Sequence, residues 1–332
     1  MRIAIIGCGK QAPKHLNGFR KQGVTDLVVA DADAGRASAL AEQQGVRAVE
    51  LDDVWADEEV SAVVIATPTR THGPLIRRAI ESGKDFLCEK PLCETLEEAR
   101  AIEQLAKQHD RIGMVGFIYR SVPVFQKVRD YLSRGDAGPL GRLSLGLVRI
   151  GGRGSHEVWK HRKETGGGVV NEMLVHVADL AMWLFGAPAK VQVLSSELRR
   201  PRRVIREEEV EVDAEDFVLL RLEGPDGTAV YIEADMVTPA FTQRVEIQGE
   251  YGTLAASIQA AEPSYLFLSE PRGDLSAGKH ELDLSGDLYS NQSGTFLKAV
   301  SDREAPAYAS LGEACELMRV MDEVTNQIRS AQ

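Results

Sequence analysis

Several things are scarce in this chain, and each scarcity excludes a class. Cysteine occurs four times in 332 residues, at Cys8, Cys88, Cys93 and Cys315. Only Cys88 and Cys93 lie close together, at a spacing that matches none of the common zinc or redox patterns. A metal site is therefore not expected, and the thiols read as reduced and structural. Basic residues are outnumbered, 39 against 50 acidic, for a net charge of -11. Nucleic acid and anionic membrane demand a surplus of Lys and Arg, so neither is an expected partner. No apolar run approaches the roughly 18 residues of a membrane span. The opening MRIAIIGCG runs straight into a strand and a turn, without the charged, apolar and small-residue regions of a secretory leader, and a cytoplasmic location is expected. Internal repeats, low-complexity tracts and long linkers are also missing.

What is present begins with length, which favours two domains. Over the first 120 residues, apolar runs of strand length alternate with amphipathic segments. The runs are RIAII (2–6), DLVVA (26–30), AVVIA (62–66), DFLC (85–88) and RIGMVG (111–116). Segments such as APKHLNGFRKQG and TLEEARAIEQLAKQHD separate them. This rhythm predicts a doubly wound parallel sheet of the Rossmann kind, α/β in class, over 1–118. The rhythm then changes. One helix (121–134), a Gly-rich loop and a helix at 169–185 are followed by closely spaced alternating runs from KVQVLSSEL to SYLFLSE. Residues 119–332 are expected to form an α+β domain with a largely antiparallel open sheet, closed by two helices.

The candidate chemistry lies at predicted strand ends. Gly7, Gly9 and Ala12 form GCGKQA, the G-x-G-x-x-G/A pattern, directly after the first strand and at the start of a helix. One glycine permits a tight turn and the next lets the backbone approach a pyrophosphate. The small third residue lets helix and strand pack closely. Gly7, Cys8, Gly9, Lys10 and Gln11 are assigned to the cofactor. Asp31 ends the second strand, where an acid accepts a ribose 2′-hydroxyl and repels a 2′-phosphate, favouring NAD over NADP. After the strand AVVIA, TPTRTH places Thr67 and His72 at the same edge, with His72 either a ligand contact or a helix-capping polar residue. FLCEKPLC (86–93) sets Glu89 and Lys90 before a proline, which keeps Lys90 out of helix and central strand. In the 169–185 helix, Glu172, His176 and Asp179 are spaced to share one face of an otherwise apolar segment. A polar stripe there is costly unless paired or functional.

Taken in order, GCGKQA, TPTRTH, CEKPL and GGGVVNEMLVHVAD closely resemble the Gfo/Idh/MocA family, named for glucose-fructose oxidoreductase, inositol dehydrogenase and rhizopine catabolism. The resemblance spans essentially the whole chain, including EDFVLLRLEG (215–224). It implies that Lys90 stands between the nicotinamide and the reacting hydroxyl, with Glu89 beside the ring and the Lys90-Pro91 bond cis. It also implies that His176 reaches the same hydroxyl, so that Lys90 and His176 form the acid/base pair. The family usually carries aspartate four residues before that histidine. Here the position is Glu172, which leaves its catalytic or substrate role altered and weakens transfer of inositol or glucose specificity.

The loop before the glycines gathers His156, Lys160, His161, Arg162 and Lys163 around Trp159. In the family this loop lines the substrate. Trp159 can stack on a sugar face and Lys160 can bind an anionic group, although a solvated basic loop is the plainer alternative. Tyr119 and Arg120, at the end of the first domain, are placed to touch substrate or nicotinamide. RRPRRVIREEEVEVDAED (199–216) reads as a charged surface hairpin. The expected activity is hydride transfer between NAD and a secondary alcohol of a sugar, cyclitol or sugar derivative, which can be anionic. Two alternatives stand beside it: an NADP-linked reductase of keto sugars or other carbonyl compounds, and a cofactor-sensing regulator on the same scaffold. A homodimer or homotetramer is expected by family analogy.

Overall fold

A computed structural model describes residues 1–134, 138–153, 157–224, 226–283 and 285–331. His156 falls outside the described residues. The chain divides into two compact units, Met1–Ser121 with Gly286–Met318, and Val122–Ser285 with Arg319–Gln332.

The first unit is built on a six-stranded parallel sheet of β1 (Arg2–Ile6), β2 (Leu27–Ala30), β3 (Arg47–Ala48), β4 (Val60–Ile65), β5 (Asp85–Cys88) and β6 (Gly113–Val115). Its order is β3-β2-β1-β4-β5-β6. β1, β2, β4 and β5 are almost wholly buried, as near-continuous apolar runs require when helices cover both faces. The crossovers are α1 (Ala12–Lys21), α2 (Ala34–Gln44), α3 (Leu51–Ala56), α4 (His72–Glu81) and α5 (Leu96–Gln108). Local chemistry sets their ends: Asp33 caps α2 by accepting from Gly35 and Arg36 N–H, and Thr95 caps α5 by accepting from Glu98 N–H. The chain leaves β1 towards β2 and β3 and later returns to β4, so direction reverses between β1 and β4, where such sheets bind ligands. The sequence rhythm does not show β3 and α3. The first is two exposed residues and the second six residues, both too short to show a period.

The second unit holds β7 (Leu143–Gly151), β8 (Lys190–Glu197), β11 (Phe217–Glu223), β12 (Ala229–Asp235), β13 (Thr242–Gly249), β14 (Gly252–Ser257), β15 (Tyr265–Leu268) and β16 (Gly278–Glu281). They form one sheet, β16-β15-β14-β13-β7-β12-β11-β8, in which only β7 and β12 pair in parallel among the described pairs. α6 (Pro123–Ser133) packs on β14, and α7 (Val175–Phe185) on β7 and β12. Alternate residues of β7, β12 and β13 point away and are half-exposed, which leaves one face of this sheet less covered. The charged stretch is a hairpin of β9 (Arg202–Ile205) and β10 (Glu208–Glu211). It is anchored by a buried pair, Arg203 to Asp216 at 2.8 Å, and Asp216 also accepts from Arg199 and Arg200 N–H.

The expected boundary after residue 118 differs from the compact units at the C-terminal end. α8 (Leu288–Asp302) packs on α1 so closely that a Cβ on Gly18 would come within 2.6 Å of the Tyr289 carbonyl oxygen. Ser310 bridges to Met114 of β6, and Val115 N–H donates to Ala309 O. These contacts return 286–318 to the first unit, so α9 (Leu311–Ala331) begins in one unit and ends in the other.

Candidate active site

Strands of a parallel sheet end at a common edge, and four of the expected segments begin there. The backbone ladder continues past the strands: Gly7 N–H donates to Ala30 O, Ala66 N–H to Ile6 O, and Glu89 N–H to Ile65 O. The turn after β1, Asp31 after β2, Thr67 after β4 and Glu89-Lys90 after β5 are therefore registered to one another by main chain.

The glycine turn divides its labour. Gly7 has φ +96°, and a Cβ there would meet Ala66 O at 2.7 Å. At Gly9 a Cβ would meet nothing within 4 Å. The first glycine is demanded by the fold and the second faces open space, which is what close approach of a pyrophosphate needs. Ala12, the first residue of α1, is fully buried. Asp31 accepts from Cys8 N–H at 2.7 Å and from Asp33 N–H at 2.9 Å, so its carboxylate is fixed at the sheet edge. Burial and the Asp31 charge push the Cys8 thiol up to about 11, which keeps it protonated beside the turn. Lys10 is exposed, and Gln11 accepts from the Tyr289 hydroxyl at 3.0 Å. These residues fit NAD: a turn with room for phosphate and an oriented acid for the ribose.

His72 is buried, with Nε2 at 2.9 Å from Thr67 O and Nδ1 at 2.8 Å from Pro91 O. It joins the loop after β4 to the loop after β5. Lys90-Pro91 is cis. Glu89 Oε1 lies 2.8 Å from Nε2 of His15, a buried residue of α1. Burial opposes ionisation of Glu89, but the His15 contact and the Lys90 charge outweigh it and hold the carboxyl below its usual range. The His15 ring meets that of Tyr289 edge-on, 5.4 Å between centroids. Burial and the Glu89 charge push the Tyr289 phenol up, and burial pushes Tyr119 up to about 12. Arg120, expected at the substrate, is buried in the first unit in an ion pair with Glu313 and lies over the Phe117 ring.

In the second unit, the helix expected over 169–185 starts differently. Residues Val170–Leu174 form a π-turn, in which Val175 N–H reaches Val170 O, and α7 follows. Glu215 helps to hold this start, its carbonyl accepting from Val169 N–H and its carboxylate from Val170 N–H; burial raises its pKa. The wider turn moves Glu172 off the regular i, i+4 alignment with His176, whereas His176 and Asp179 share a face of α7. Glu172 Oε2 instead receives Lys160 Nζ at 2.6 Å. Lys160 also lies over the exposed Trp159 ring, 5.2 Å from its centroid. Arg206 pairs with Glu157 at 2.6 Å, so two cations near this loop carry acidic partners. Sequence reasoning did not single out His15, Tyr289, Glu215 or Glu313. His15 left a signal, a histidine on the buried side of α1 beside Leu16 and Phe19.

Residues 1–117 match the family model described as an oxidoreductase family with an NAD-binding Rossmann fold, and residues 125–255 match the GFO/IDH/MocA C-terminal domain. The chain belongs to the Gfo/Idh/MocA family. It is an NAD-binding oxidoreductase, a dehydrogenase in class. A curated relative, scyllo-inositol 2-dehydrogenase (NAD(+)) of Bacillus subtilis (strain 168), is 31% identical over 261 residues, 76% of this chain and 73% of the relative. Inositol 2-dehydrogenase of Rhizobium meliloti (strain 1021) is 28% identical over 90% of this chain and 88% of its own length. Levoglucosan dehydrogenase, solved in complex with NADH and levoglucosan, shares the fold with a TM-score of 0.86 at 20% identity, over 100% of this chain and 98% of its own. Among the described residues no helix is long and apolar enough to cross a membrane, and no cluster is arranged to hold a metal.

Proposed function

We propose that this family member oxidises a secondary alcohol of a cyclitol or related sugar with NAD, using Lys90 and His176 as its acid/base pair. The observation that carries the reading is Lys90 at the carboxyl end of β5, in register with the Gly7–Ala12 turn through β4 and β1. The relatives named inositol 2-dehydrogenase support the cyclitol.

Bound NAD supplies the hydride acceptor. The carbinol C–H bond breaks with its electron pair leaving as hydride, the O–H bond gives up its proton, and the carbon–oxygen double bond forms. His176 takes that proton on a ring nitrogen, and Lys90 Nζ donates a hydrogen bond to the oxygen as its charge grows. Gly7, Cys8, Gly9, Lys10 and Gln11 would cradle the pyrophosphate and Asp31 would hold the ribose, with Thr67 and Glu89 at the nicotinamide end. Glu172, held by Lys160, orients substrate hydroxyls, with Trp159 and Tyr119 as apolar walls. Because Lys160 already has an acidic partner, a neutral polyol fits this loop better than an anionic one. A second copy of this chain is the proposed partner, docking on the less covered sheet face of the second unit.

The test is NADH formation on myo-inositol, scyllo-inositol, glucose, uronic acids and sugar phosphates, each with NAD and with NADP. Turnover of a neutral cyclitol or sugar with NAD supports the reading. Turnover confined to phosphates or to NADP overturns it.

A further inference from the structure

Lys90 has an unusual pair of neighbours. Glu89, before it, is gripped by His15 of α1, and Pro91, after it, by His72 at the first position of α4. Both histidines are 1% exposed. Burying an imidazole is costly unless its polar atoms are used, and an aliphatic residue would fill the same space without that cost. In His15 only Nε2 is used. Its Nδ1 has no hydrogen-bond partner, so the contact with Glu89 is what justifies the polar ring. His72 has a carbonyl oxygen at each nitrogen. A neutral ring donates to one of them, and a doubly protonated ring donates to both.

We propose that His15 and His72 are positioning residues that act through Glu89 and Pro91 to hold Lys90 at the sheet edge. Each belongs to a helix that follows a cofactor-side turn: α1 follows the glycine turn and α4 follows the Thr67 loop. The lysine, the glycine turn and the Thr67 loop then move as one body, and a shift in either turn is passed to the lysine. Gln11 reinforces the link, since it accepts from Tyr289, whose ring packs edge-on against His15. This inference rests on the reading of Lys90 as the group that touches the reacting oxygen.

Geometry supplies a test that a space-filling role cannot imitate. A glutamine amide superposes on imidazole Nε2, and an asparagine amide on Nδ1. The contact that matters is through Nε2 in His15 and through Nδ1 in His72. His15→Gln and His72→Asn should therefore keep kcat within about fivefold of wild type, whereas His15→Asn and His72→Gln should lose about 100-fold. The KM for NAD should stay near wild type in all four. The rates are read on the polyol of highest turnover in the panel above, with Lys90→Met as reference. Should one histidine variant fail to fold, judged by its melting curve, the pair at the other position still decides.

A reversed Asn/Gln preference at the two positions supports the clamp. The same preference at both, or four wild-type rates beside a dead Lys90→Met enzyme, overturns it and leaves the reading of Lys90 intact. An active Lys90→Met enzyme overturns the reading instead. Amide hydrogen exchange over residues 86–93 then judges the clamp without turnover. Protection lost there only in His15→Asn and His72→Gln supports it, and equal protection in all four defeats it.

Discussion

The segments 86–93 and 158–176 carry the two halves of the proposed chemistry and are held by opposite means. Around Lys90 the fixing contacts come from main chain and from two buried histidines: Glu89 N–H on Ile65 O, His72 on Pro91 O, and His15 on Glu89. Around His176 the helix starts with a π-turn, and the nearby acid is fixed by a side-chain pair, Lys160 to Glu172, with side chains 28% and 18% exposed. The Glu89 N–H to Ile65 O bond survives most substitutions at either residue and the two histidines that add to it are buried, whereas a part-exposed side-chain ion pair is remade by any change at either partner. The first arrangement suits a step common to a whole family, and the second suits a pocket that varies with substrate.

The comparison breaks most sharply at Lys90. Lys90→Met should lower kcat by about 1,000-fold, with NAD affinity by calorimetry near wild type. A variant with wild-type kcat would remove the lysine from the chemistry and make segment 86–93 a structural corner. Next come the two glycines of the turn. Gly7→Ala forces a side chain at φ +96° against Ala66, and the strain of about 1–3 kcal/mol plus the clash should appear as a lowered Tm. Gly9→Ala meets no protein atom, so its Tm should hold while NAD binding weakens. Equal melting losses in both would mean that Gly9 is a fold residue too.

On the substrate side, Glu172→Gln should leave Tm nearly unchanged, because a partly exposed pair contributes about 0–1 kcal/mol. Its effect belongs on the polyol KM, raised by about tenfold, with the KM for NAD unmoved. A matching loss of NAD affinity would place Glu172 with the cofactor machinery and erase the contrast between the halves.

Legibility in the sequence followed the same division. Buried parallel strands read as unbroken apolar runs, so the positions where they stop, and with them Gly7, Asp31, Thr67 and Lys90, could be placed from the chain alone. His15 could not be tied to Glu89, because its partner lies 74 residues away and only the sheet order brings them together. The π-turn was equally hidden. Glu215 contacts the backbone at its start, a tertiary contact that the apolar spacing of 169–185 does not reveal. Arg120 reads as a substrate or nicotinamide contact from its place at the end of the first domain, and its counter-ion, Glu313, lies in a C-terminal stretch that the sequence rhythm assigns to the second domain.

The remaining expected effect concerns acid stability, and it follows from the sign of the Glu89 shift. Its folded-state pKa lies below the ordinary glutamate value of 4.5. The unfolded chain therefore binds more protons around that pH, and the contribution of Glu89 is complete above 4.5 and is lost as pH falls through the folded value. His15→Asn withdraws the donor and leaves burial opposed only by the Lys90 charge and backbone, so the Glu89 pKa rises from its wild-type position. The variant should be destabilised most at neutral pH, by about 1.5–3 kcal/mol for a hydrogen bond to a charged group. The gap between the two melting temperatures should close on acidification, because wild type loses in acid what the variant never had. Subtracting the two curves cancels every other carboxyl, so a gap that stays constant with pH would show that His15 supports the fold without acting on the charge of Glu89.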